Sequence, residues 1–161
     1  MAETSRKMEQ IIRPEHIAVD VPASSKKRAL EMMSDLLAKG EPHVTPVEIF
    51  ESLLARERLG GTGLGKGVAI PHGRLKGSGR ALAGFIRLAE GVDFDAADRQ
   101  PVDLLFALLV PESSAEANEE YLQVLAELAE MLSDDAFRAR LRSATSGDDV
   151  FAVIAGWSSA H

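Results

Sequence analysis

Cysteine is absent from this 161-residue chain, which excludes disulfides and thiolate metal sites and fits a reducing cytosol. No apolar run approaches the ~20 residues that cross a bilayer. The opening segment, MAETSRKMEQ, lacks the apolar core of a signal peptide, so a cytoplasmic protein with no membrane insertion is expected. A G-x-S-x-G elbow is missing, and without cysteine a Cys-His pair is impossible. The histidines His16, His43, His72 and His161 include no pair at metal-ligand spacing on a helix, so neither a metal nor a cofactor is expected. A net charge of −7 argues against nucleic acid as a partner, because phosphate backbones call for a basic surface.

Charge of one sign is missing from two long stretches. Arg58 to Ala89 holds no Asp or Glu, while Arg58, Lys66, Arg74, Lys76, Arg80 and Arg87 supply positive charge. Between Arg99 and Arg138 the reverse holds: Asp103, Glu112, Glu116, Glu119, Glu120, Glu127, Glu130, Asp134 and Asp135 stand there without one Lys or Arg. The acidic stretch reads either as a solvated helix face or as a surface that steers a basic protein partner, an effect that salt weakens.

The basic stretch contains GGTGLGKGVAIPHGR, Gly60 to Arg74. His72 follows Pro71 at the end of a short apolar run, Val68 to Ile70. Ahead of it lie Gly60, Gly61, Gly63, Gly65 and Gly67, and Gly73 follows. Glycine reaches positive φ without strain and lets backbone amides approach a ligand, and successive exposed amides form a concavity suited to an anion. Gly63, Gly65 and Gly67 are therefore candidate phosphate-binding positions; a surface turn with no ligand is the plainer reading. Gly60, Gly65 and Lys66 also match the opening of a P-loop. Gly67, however, stands where that motif needs a hydroxyl for magnesium, and Val-Ala-Ile-Pro follows where it needs a helix. A nucleophilic imidazole, flexible amides and nearby cations together suggest a histidine that takes up a phosphoryl group. Its ordinary pKa of ~6.5 makes the neutral, attacking form abundant.

Element signals are clear along much of the chain. Ile17 to Val21 suits a strand. Ser24 or Ser25 caps a helix to about Lys39, stopped by Gly40. Thr45, Pro46 and Glu48 form a capping box for a second helix ending near Arg58. Strands are expected at Val68 to Ile70, Leu82 to Leu88 and Val102 to Val110. The last is nearly continuous in apolar residues and so reads as covered on both faces. Ser113 with Glu116 signals a helix to about Leu132, carrying Tyr121, Leu125, Leu128 and Leu132 on one stripe. Two shorter helices follow, near Asp135 to Ser143 and Asp148 to Gly156. The pattern predicts a single α/β domain with helices on both faces of one sheet. Residues 1–10 read as a tail, 11–157 as the domain and 158–161 as a second tail.

Three segments carry a resemblance: SKKRALE (Ser25 to Glu31), ARERLGGTGLGKGVAIPHGR (Ala55 to Arg74) and FDAADRQPVDLLFALLVP (Phe94 to Pro111). In these the chain resembles the type-2 enzyme IIA proteins of the bacterial phosphotransferase system, with the nitrogen-regulatory branch nearest. The resemblance implies a mixed parallel and antiparallel sheet between helices. It implies a phosphoryl group received from a histidine phosphocarrier protein on the His72 nitrogen remote from the backbone, with Arg56 beside the phosphohistidine. It also places Tyr121 where the family usually has a second active-site histidine. The Tyr121 ring either packs with Leu125 and Leu128 or donates its phenol to the phosphoryl oxygens. Three roles remain open at this level: a regulatory module switched by phosphorylation, a carrier passing phosphate to a sugar-specific IIB partner, and a lapsed site that binds partners unphosphorylated. The regulatory role is favoured, with its protein targets unknown.

Overall fold

The computed structural model describes residues 11–76, 80–112 and 115–160. The expected tail at residues 1–10 and the capping serine Ser113 lie outside these residues. The described chain runs β1 (Ile12–Val21), α1 (Lys26–Ala38), α2 (Pro46–Leu59), β2 (Gly63–Gly65), β3 (Val68–Ala69), β4 (His72–Leu75), β5 (Leu82–Val92), β6 (Val102–Pro111), α3 (Ala115–Ser133), α4 (Asp135–Ser143) and α5 (Gly147–Ala160).

One mixed sheet orders its strands β1-β5-β6-β3-β2, with β4 also paired to β6. β6 runs antiparallel to β5 on one side and parallel to β3 and β4 on the other. Its alternate side chains supply two cores. Leu104, Phe106, Leu108 and Val110 face α3, α4 and α5. Leu105, Ala107 and Leu109 face α1 and α2. A strand with both faces covered needs an unbroken apolar run, which β6 carries from Leu104 to Val110. The expected α/β domain with helices on both faces is thus what the chain forms.

Local signals account for the helix starts. Ser25 accepts the Arg28 amide at 3.1 Å. Thr45 and Glu48 complete a reciprocal capping box, with Pro46 at the first helical position. Three elements depart from expectation. β1 begins at Ile12, ahead of the expected Ile17, and takes in Pro14 and His16. β1 is an edge strand, where the missing N–H of Pro14 is tolerated. β5 continues past Leu88 to Val92 through an irregularity between Arg87 and Val92. α5 reaches Ala160 where a tail was expected from residue 158.

Two buried polar groups tie the layers together. His16 is 1% exposed and bonds the Lys39 carbonyl at the end of α1 across 2.9 Å. The Arg87 guanidinium donates to the carbonyls of Leu141, Arg142 and Ala144, satisfying the C-terminal end of α4. No helix among the described residues is long and apolar enough to cross a membrane.

Candidate functional site

The strand beside β6 is interrupted at Pro71, so β3 and β4 are two short pieces and His72 opens the second. β4 leaves the main path of the sheet. α2 packs tightly on β4 because Gly73 has no Cβ: a methyl group there would collide with the Ser52 hydroxyl. Ser52 instead donates to the Arg74 carbonyl at 2.8 Å. Arg56 stands one helical turn after Ser52, on the same face of α2, and so falls opposite His72. From the other layer, α3 brings Tyr121.

The imidazole is half-buried and held at both nitrogens. Nδ1 lies 2.7 Å from the Ile70 carbonyl. Arg56 donates its Nε–H to Nε2 across 3.1 Å. A carbonyl only accepts and a guanidinium only donates, so the proton sits on Nδ1 and the lone pair on Nε2. A second arm of Arg56, Nη1, donates to the Gly60 carbonyl at 2.8 Å, fixing the fork. Burial lowers the His72 pKa and the Arg56 charge adds to this, against the opposing pull of the Ile70 carbonyl and the Glu57 carboxylate. The ring is therefore neutral at neutral pH.

Tyr121 is 8% exposed, and its ring centroid lies 5.9 Å from that of His72. The Arg74 guanidinium stands 5.1 Å over the same phenol ring. Burial raises the Tyr121 pKa against the pull of Arg74 and Arg56, so the phenol keeps its O–H as a donor. In the sequence Arg74 is one of six local cations, with nothing to single it out for the site. The alternation of a strand was the signal that could have found it, because positions 72 and 74 share a face.

Gly63, Gly65 and Gly67 are placed elsewhere. Gly63 pairs with Ala69 and Gly65 with Val68. Val68 lies beside Leu104 whereas His72 lies beside Leu108, so Gly65 is separated from the imidazole by four residues of β6, about 13 Å. Gly67 is further off, its carbonyl accepting the amides of Asp103 and Leu104. The contacts that require glycine run to other parts of the fold. A Cβ on Gly63 would sit 3.0 Å from that of Ala96, one on Gly65 would sit 3.2 Å from the Asp98 carboxylate, and one on Gly67 would sit 2.9 Å from the Asp103 carboxylate. With φ of +92° and +82°, Gly65 and Gly67 also occupy backbone conformations that side chains disfavour. These contacts give the three glycines packing roles in β2, the turn after it and the neighbouring loops. The groups set against His72 are Arg56, Tyr121 and the Ile70 carbonyl, with Arg74 over the Tyr121 ring and the Gly60 carbonyl on Arg56.

The imidazole thus presents an unprotonated Nε2 to the Arg56 guanidinium, with the Tyr121 ring alongside and Arg74 over that ring. Residues 10–157 match the family "Phosphoenolpyruvate-dependent sugar phosphotransferase system, EIIA 2". The chain belongs to this family, whose domain implies phosphotransfer through a phosphohistidine. Within it the chain falls in the nitrogen-regulatory branch. A nitrogen regulatory protein from Pseudomonas aeruginosa is 46% identical over 148 residues, covering 92% of this chain and 94% of that one. The crystal structure of nitrogen regulatory protein IIA-Ntr from Neisseria meningitidis superposes with a TM-score of 0.84 at 43% identity, covering 91% of this chain and 98% of the other. A complex of enzyme IIAMTL and phosphorylated enzyme IIBMTL from Escherichia coli matches with a TM-score of 0.73 at 28% identity, covering 91% and 99%.

Proposed function

We propose that His72 accepts a phosphoryl group on Nε2 from a histidine phosphocarrier protein, and that the resulting phosphorylation state governs which regulatory proteins the chain binds. The observation that carries this reading is the fixed tautomer: Nδ1–H on the Ile70 carbonyl, with the Nε2 lone pair turned toward Arg56. In the transfer, the N–P bond of the donor breaks as one to Nε2 forms. The Nδ1 proton stays where it is, and the Ile70 carbonyl stabilises the positive charge that the ring acquires.

Arg56 must release Nε2 before phosphorus can bond there. Its Nη1 anchor on Gly60 keeps the guanidinium within reach, so the freed Nε–H and Nη2 turn onto the incoming oxygens. Arg74 and the Tyr121 phenol complete a donor set around those oxygens. Phosphoryl transfer draws mainly on such positioning and charge stabilisation, and fork-shaped guanidiniums suit an anion with three oxygens.

The regulatory reading is supported by the relatives, which are named nitrogen regulatory proteins. A phosphoryl group brings about −1.5 to −2 charge to a site lined by cations, enough to change the surface that a partner meets. Passage of phosphate to a sugar-specific IIB partner is the second reading, favoured by the likeness to enzyme IIAMTL in its complex with phosphorylated IIBMTL. The experiment that separates them starts from phosphorylated protein supplied with soluble IIB domains. Retention of the label supports regulation, and rapid loss to a IIB domain supports the carrier role.

A further inference from the structure

Glu57 is a buried carboxylate that the proposed transfer does not use. It follows Arg56 on α2 and is 7% exposed. One oxygen accepts the Thr62 amide at 3.3 Å and pairs with Lys26 Nζ at 2.9 Å. The other accepts the Thr62 hydroxyl. Lys26 is itself fixed, with its Nζ 5.1 Å over the Phe94 ring and 3.6 Å from the Asp95 carboxylate. Three segments therefore converge on one carboxylate: the start of α1, the end of α2 and the loop leading into β2.

The hydrogen bonds that continue from Thr62 lead to the imidazole. The Thr62 carbonyl accepts the Ile70 amide at 3.0 Å. The Ile70 carbonyl accepts His72 Nδ1–H, and His72 Nε2 accepts Arg56 Nε–H. Arg56 Nη1 donates to the Gly60 carbonyl, and the Gly60 amide returns to the Glu57 carbonyl at 3.2 Å. The circuit closes on the residue where it began. Both partners that fix the His72 tautomer, the Ile70 carbonyl and Arg56, hang from this ring, and Glu57 is where side chain and backbone join it.

We propose that Glu57 is a positioning residue that, by clamping Thr62 under the Lys26 ammonium, holds the His72 imidazole in the Nδ1–H tautomer with Nε2 ready to attack. Thr62 is its working contact and Lys26 its counter-charge. This deepens the reading of His72 as phosphoryl acceptor and rests on it for the kinetic arm of the test alone. A buried hydrogen bond to a charged group is strong in such a setting, and removing one partner strands the other.

The test compares wild type with Glu57→Gln, Thr62→Val and Thr62→Ser. Nitrogen-15 NMR of the unphosphorylated proteins reads the His72 tautomer, and single-turnover phosphorylation by a phosphorylated histidine phosphocarrier reads its use. Wild type is expected to show one tautomer, protonated on Nδ1. Glu57→Gln and Thr62→Val are expected to show tautomer exchange and to slow the transfer step at least tenfold, with the half-saturating donor concentration unchanged. Thr62→Ser keeps the hydroxyl and is expected to restore both properties. If Glu57→Gln does not fold, Thr62→Val, which keeps the carboxylate, decides the matter. Folded variants with the wild-type tautomer and rate overturn the proposal. A wild-type protein that takes up no phosphate overturns the acceptor reading instead, and the tautomer comparison still judges Glu57.

Discussion

Arg56 donates to Nε2 of His72 across 3.1 Å, so the nitrogen proposed to attack phosphorus carries no proton of its own. The same guanidinium, together with burial, sets the protonation of the ring. Burial is the larger influence, and both act to keep His72 below its ordinary pKa of 6.5. An NMR titration is expected to find the His72 midpoint below 6.5, and Arg56→Gln is expected to move it upward. The folded ring binds a proton less readily than the unfolded one does. Its contribution to stability is therefore present above 6.5 and is lost as pH falls through the folded midpoint. Phosphate uptake, which needs the neutral ring, is expected to fall over that same acidic range.

Tyr121→Phe is expected to leave the melting temperature nearly unchanged, because the ring keeps its packing against His72 and beneath Arg74. Only the phenol is lost. If it donates to the phosphoryl oxygens, the rate of phosphorylation falls about tenfold, since a hydrogen bond to a charged group is worth about 1.5 kcal/mol or more. An unchanged rate and phosphohistidine lifetime would reduce Tyr121 to a packing residue.

Arg56→Gln and Arg74→Gln both remove a cation from the site, but only Arg56 touches the imidazole. Arg56→Gln is expected to slow phosphate uptake by a factor of a hundred or so, the larger loss reflecting a charged partner at the reacting nitrogen. Arg74→Gln is expected to cost about tenfold and to leave the His72 tautomer intact. Rapid-quench kinetics with NMR on the same samples checks the ranking. Equal losses, or a greater loss at Arg74, contradict it.

Gly67→Ala tests where the glycines belong. Its φ of +82° and the Asp103 carboxylate, 2.9 Å from the new methyl group, both oppose the change. Destabilisation of about 1–3 kcal/mol is expected in a denaturant titration. The fraction that remains folded is expected to phosphorylate at the wild-type rate, because Gly67 stands well along β6 from His72. A stable variant that fails to take up phosphate would restore the amide cradle.

The parts of the fold legible in the sequence were those with strong local chemistry. The capping box at Thr45 and Glu48 fixed α2, and the nearly continuous apolar run from Val102 to Val110 marked β6 as a covered strand. β2 and β4 were hidden because a strand of three or four residues among glycines has the composition of a turn. Their pairing with β3 and β6 is decided by tertiary contact. The burial of His16 is hidden for a similar reason: no pattern in IRPEH announces a histidine buried at the end of a distant helix. At the site, His72 is legible from its motif, and Arg56 and Tyr121 from the resemblance. Glu57 and Thr62 are not, since a buried ion pair leaves no periodic trace in the sequence.

The most direct measurement of the central claim is mass mapping after incubation with phosphoenolpyruvate, the general phosphotransferase components and a histidine phosphocarrier. One phosphoryl group on His72 is predicted, labile to acid and stable to base, bonded to Nε2 by phosphorus NMR and absent from a folded His72→Ala variant. Label on another residue, or the same uptake by that variant, contradicts the account.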